Sequence, residues 1–92
     1  MFSFIQESMQ SFVDYETWRI ACAHFDVTDT QCGDYNRAAV AFAQTTAFPN
    51  TAVVEVARKA ALEALARGEP MPQDIEAAVQ DQFARQLARF FV

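Results

Sequence analysis

The sequence predicts an all-α fold, a compact bundle of four to five helices forming a single domain over residues 1–92. Three observations carry this. Alanine, the best helix former, recurs from Ala38 to Ala88, and few runs of β-branched residues compete with it. Only two glycines and three prolines leave few places to turn. Apolar residues recur at spacings of three and four, most clearly at Ile75, Ala78, Val79, Phe83, Leu87, Phe90 and Phe91. A hydrophobic content of 52%, with nine phenylalanines, offers enough apolar surface to offset chain entropy, which argues against disorder.

Ser3 followed by Gln6 fits a capping box, and a first helix with the stripe Ile5, Met9, Phe12 and Val13 starts there. Asp14 is able to cap a second helix through Trp18 and Ile20 to Phe25, but a single rod from Phe4 to His24 is the preferred reading. Residues 26–34 read as a loop, because Asp26, Thr28, Asp29, Thr30 and Gly33 favour turns. A helix from Asp34 to Thr46 follows, with Ala38, Ala41, Phe42 and Thr45 on its apolar face. Pro49 breaks it, and Asn50 or Thr51 caps the next helix, which runs to Arg67. There Val53, Val54, Ala57, Ala61, Ala64 and Leu65 face inward, and Glu55, Arg58, Lys59 and Glu63 face out. Gly68 closes that helix. Pro72 opens the last one, with Asp74 and Glu76 in its first turn and Arg85 and Arg89 near its end, matching the helix dipole.

The net charge is −5 and unevenly spread. The first half carries Glu7, Asp14, Glu16, Asp26, Asp29 and Asp34 against Arg19 and Arg37. Such a chain is poorly suited to a phosphate backbone, so direct nucleic-acid binding is not expected. It suits a partner protein with a basic surface, and those six residues are the candidate acidic face. No basic segment followed by a long apolar run opens the chain, and no run reaches the ~18–20 apolar residues of a membrane span. With two cysteines too few for a disulfide framework, a cytoplasmic protein with reduced thiols and no membrane association is expected.

Chemistry-bearing patterns are weak. Cys22, His24 and Cys32 offer three zinc donors, but residues 22 and 24 point apart on a helix, so no metal is expected. The loop from Asp26 starts like a calcium loop, yet its sixth position is Gln31 and its twelfth is Arg37, where glycine and a bidentate glutamate belong. Residues 42–56 can be laid on a helix-turn-helix, with Ala47 in the turn and Val53 and Val56 buried. The recognition helix would then offer Asn50 and Thr51, with no basic residue before Arg58. One histidine, no glycine-rich phosphate loop and serines without an evident base argue against an enzyme, and no cofactor is expected.

What remains is an excess of aromatics over interior sites in so short a chain. Tyr15, Trp18, Phe83, Leu87, Phe90 and Phe91 are the candidate interface residues. The expectation is a small acidic, non-catalytic protein-binding domain, forming a homodimer and acting as a regulator, inhibitor or subunit. An alternative is an inhibitor of the anti-CRISPR type, carried by a phage or mobile element, that occupies a basic nucleic-acid-binding surface. A second alternative is a helix-turn-helix regulator.

Overall fold

The computed structural model describes residues 13–90, with side chains to Ala88. Four helices follow one another: α1 (Tyr15–His24), α2 (Asp29–Ala43), α3 (Asn50–Ala66) and α4 (Ile75–Phe90). Among the described residues there is no strand, and the fold is the expected all-α bundle. Helices α2, α3 and α4 each pack on the other two, and α1 packs on α2 and α3.

Local chemistry sets each boundary. Asp14 is extended (φ −72°, ψ 174°) and its carboxylate accepts the Thr17 N–H at 2.8 Å. That bond, with a further one from the Thr17 side chain, holds the Asp14 carboxyl below its ordinary pKa. An extended residue cannot continue a helix, so the expected single rod from Phe4 to His24 is corrected: a new helix starts at Tyr15. Ser3, Ile5, Met9 and Phe12 lie outside the described residues.

Helix α1 ends in a Schellman motif. The Val27 N–H reaches the Cys22 carbonyl (2.8 Å) and the Asp26 N–H reaches that of Ala23 (3.2 Å). The motif needs a left-handed residue, and Asp26 takes it at φ 61°. Helix α2 then begins at Asp29, five residues before the expected Asp34. Its capping box pairs Thr28 Oγ1 with the Gln31 N–H (3.1 Å) and Gln31 Oε1 with the Thr28 N–H (3.2 Å). The box satisfies two backbone donors at once, which outweighs the turn-forming composition of residues 29–33.

Helix α2 stops at Ala43, short of Thr46, because the Thr45 and Thr46 hydroxyls fold back onto the Phe42 (2.7 Å) and Ala43 (3.0 Å) carbonyls. Helix α3 starts without a side-chain cap, since Pro49 holds the cap position that Asn50 or Thr51 was expected to fill. Gly68, at φ 89°, closes it with a second Schellman motif, Glu69 N–H to Ala64 carbonyl (3.1 Å) and Gly68 N–H to Leu65 carbonyl (2.9 Å). Asp74 caps α4 by accepting the Ala77 N–H (3.1 Å), so this helix begins at Ile75, three residues after Pro72.

The core is built from Trp18, Cys22, Cys32, Tyr35, Ala39, Val53, Ala57, Val79 and Phe83. All six inward positions expected on α3 are buried. The buried face of α2 differs from expectation: Cys32, Tyr35, Ala39 and Ala43 point inward, while Ala41 and Thr45 are exposed. Every residue from 38 to 43 is apolar, so periodicity alone does not choose the face. The large Tyr35 ring does, by stacking on Trp18 at 4.9 Å.

Candidate interaction surface

The six expected interface residues do not share one surface. Trp18 is wholly buried, which corrects its reading as a contact residue: its indole N–H donates to the Cys32 carbonyl (3.1 Å) and ties α1 to α2. Phe83 is also buried and floors the interior. Tyr15 is 47% exposed, but its ring lies 5.9 Å from the Arg58 guanidinium carbon and covers that cation. Leu87 is half-buried against the core. Phe90 ends α4 with its side chain outside the described set, and Phe91 lies beyond it.

An aromatic cluster that the periodicity does not single out forms at the turn between α2 and α3. Phe42 and Phe48 meet Phe83 edge-on, at 5.5 Å and 70° and at 6.0 Å and 65°. Phe48 is 46% exposed, Phe42 is half-buried, and Leu87 stands one helical turn beyond Phe83 on the same face. Two further apolar side chains reach solvent singly, Ile20 on α1 and Val40 on α2. The only sequence signal for the Phe48 cluster is its place beside Pro49, in a segment where the chain turns at the surface.

The expected acidic face is not continuous. Asp14 and Glu16 stand at the start of α1, whereas Asp26 and Asp29 stand past its end. A ten-residue helix separates them, about 15 Å of rise. Asp34 is taken up by an ion pair with Arg37. Glu7 lies outside the described residues.

Arg58, expected to face out, is only 8% exposed. Its Nε and Nη2 donate to Asn36 Oδ1 (3.1 and 2.5 Å) and its Nη1 donates to the Val13 carbonyl (2.8 Å), joining α3 to α2 and to the entry of α1. Burial lowers its pKa, against which Glu55 and Asp14 act. A second polar tie is the Tyr35 hydroxyl, which shares its proton between the Ala57 carbonyl (2.9 Å) and Gln82 Oε1 (2.5 Å). Its burial pushes the phenol pKa up.

Cys22 and Cys32 are both buried and free. Burial first, and then the hydrogen bond and charge of Cys32, push the Cys22 thiol up to about 12. Such a thiol is a poor nucleophile and a poor metal ligand. His24 is exposed, whereas the pair is buried, and it meets Phe25 edge-on. Among the described residues no three His, Cys, Asp or Glu side chains gather as metal ligands, and no helix is long and apolar enough to cross a membrane.

Comparison with known proteins finds no matching family model, no matching curated protein and no matching solved structure.

Proposed function

We propose that this chain is a small non-catalytic protein-binding domain, and that it docks through the apolar patch of Phe42, Phe48 and Leu87 set over Phe83. The observation that carries the reading is Phe48. A phenylalanine with 46% of its surface in water, held in place by an edge-on contact with a buried ring, is a preformed anchor. Its orientation is fixed before binding, so little side-chain entropy is lost on contact. The acidic inhibitor reading draws less support, because the acids divide between the two ends of α1. The helix-turn-helix reading also draws less. The turn runs from residue 44 to 49, longer than the usual ~3–4 residues, and Arg58 is buried in ties to Asn36 and Val13.

A photoreactive phenylalanine analogue placed at Phe48, with the exposed Gln80 as control position, tests the proposal in lysate of the native host. An adduct specific to position 48 is expected. It should persist at ~1 M salt, where the screening length falls to ~3 Å and contact between exposed charges fades. Equal labelling from both positions, or an adduct lost in salt, would count against apolar docking at this patch.

A further inference from the structure

The chain has two cysteines, and the fold brings them together. Cys22 stands in the last turn of α1 and Cys32 in the first turn of α2. Both side chains belong to the core, at 1% and 3% exposure, and their thiols are hydrogen-bonded to each other. Two cysteines are too few to announce a disulfide from sequence. Their contact across two helices is what the fold adds.

The bonds around the pair hold it in place. Trp18 lies one turn before Cys22 on the same face of α1, and its indole N–H donates to the Cys32 carbonyl (3.1 Å). The Val27 N–H donates to the Cys22 carbonyl (2.8 Å) in the Schellman motif, and the capping box of Thr28 and Gln31 fixes the start of α2. The connection from one sulfur to the other is therefore a short turn anchored at both ends.

The choice of residue sets the pair apart from ordinary packing. Elsewhere among the described residues the small buried side chains are alanines, as at Ala39, Ala43, Ala57 and Ala61. Cysteine stands only at the two positions whose side chains meet. Alanine would fill a small gap there as well, but two thiols in contact have one capacity that alanine lacks, that of forming a bond.

We propose that Cys22 and Cys32 are a disulfide-forming pair, and that a low-molecular-weight disulfide such as oxidised glutathione links them into a clip between α1 and α2. One protein thiolate attacks oxidised glutathione, forms a mixed disulfide and expels one glutathione thiolate. The second protein thiolate attacks the protein sulfur of that mixed disulfide, forms the Cys22–Cys32 bond and expels the second glutathione thiolate. Two protein thiols are oxidised, one disulfide is reduced, and the two thiol protons end on the two glutathione molecules. Both sulfurs are shielded, so exchange proceeds through opening of α1, while the folded pair sets the equilibrium. At ten residues α1 is the shortest of the four helices, so the redox state of the pair governs how firmly it stays on the bundle. The clip does not depend on the Phe48 patch.

The full chain is equilibrated with fixed ratios of reduced and oxidised glutathione, folded in buffer and unfolded in concentrated urea. Equilibrium is approached from the reduced and from the oxidised chain, and refolding from urea in the same mixture gives the folded sample access to its thiols. After an acid quench, trypsin cuts at Arg19 and Arg37, so both cysteines fall in one peptide, 20–37, which is lighter by two hydrogens when they are linked. The folded chain is expected to favour the internal disulfide about 100-fold more than the unfolded chain does, which is the loop-closure advantage for the span from Cys22 to Cys32. Trp18 emission is expected to stay that of a buried indole, because the link needs no opening of the core. A folded-to-unfolded ratio close to unity or below it would overturn the proposal. So would glutathione adducts on the separate cysteines of the folded chain, or a linked chain whose Trp18 emission is that of an exposed indole.

Discussion

The Arg58–Asn36 contact invites a double-mutant cycle. Arg58 is 8% exposed and its guanidinium directs two N–H groups at one amide oxygen, with a third on the Val13 carbonyl. Asn36→Ala leaves two charged donors without their acceptor, and a hydrogen bond to a charged group is worth about 1.5–3 kcal/mol. Arg58→Met keeps much of the apolar stem but strands both Asn36 Oδ1 and the Val13 carbonyl, at a cost of about 2–4 kcal/mol after relief of the buried charge's desolvation. If the fork is the shared interaction, the double variant loses less than the two single losses combined, with a coupling of about 1.5–3 kcal/mol. Urea denaturation gives the free energies, read through the emission of Trp18, the one tryptophan and wholly buried. A coupling below ~0.5 kcal/mol, the ordinary error of additivity for separate sites, would refute the assignment of Arg58 to Asn36.

Two further outcomes follow from the same packing. Burial pushes the Cys22 thiol up to about 12 in the folded chain, from the ordinary 9.0, so the native state holds its proton where the unfolded chain has lost it. The stabilisation is fully present below pH 9 and is lost as pH rises from 9 toward 12, at up to about 1.4 kcal/mol per pH unit. Urea midpoints should therefore fall above pH 9, and Cys22→Ala should flatten that fall between pH 9 and 10; an unchanged slope would remove Cys22 as its cause. Asp26→Gly should raise the thermal midpoint, because Asp26 holds the left-handed position of a Schellman motif where a Cβ is strained. The gain is roughly 0.5–1 kcal/mol, and a lower midpoint would show that the aspartate side chain contributes more than its backbone costs.

The helices were legible wherever one residue does one job. Gly68 reads as a helix end from its type alone, and the inward face of α3 follows from its periodicity. The start of α2 was written in Thr28 and Gln31, but the neighbouring Asp29, Thr30 and Gly33 carry a competing turn signal that composition alone does not resolve. Arg58 and Gln86 were illegible as buried residues. Polar side chains on a helix are ordinarily solvated, and only the acceptor brought from another helix makes the burial of Arg58 tolerable. The same holds for the Phe48 patch, since the ring that fixes it, Phe83, lies 35 positions along the chain and local periodicity carries no such information.

The placement of polar ties explains how so alanine-rich a bundle holds one arrangement. Buried faces made of Ala39, Ala43, Ala57, Ala60, Ala61 and Ala64 are smooth, and smooth helices can slide and rotate with little loss of contact area. Directional bonds penalise such motion. Trp18 to the Cys32 carbonyl fixes α1 on α2, Arg58 to Asn36 fixes α3 on α2, and Tyr35 to Ala57 and Gln82 fixes α2 against both α3 and α4. Each tie joins side chains or carbonyls from different helices, so a turn of any one helix would strand a buried polar group. These restraints act on the inner faces.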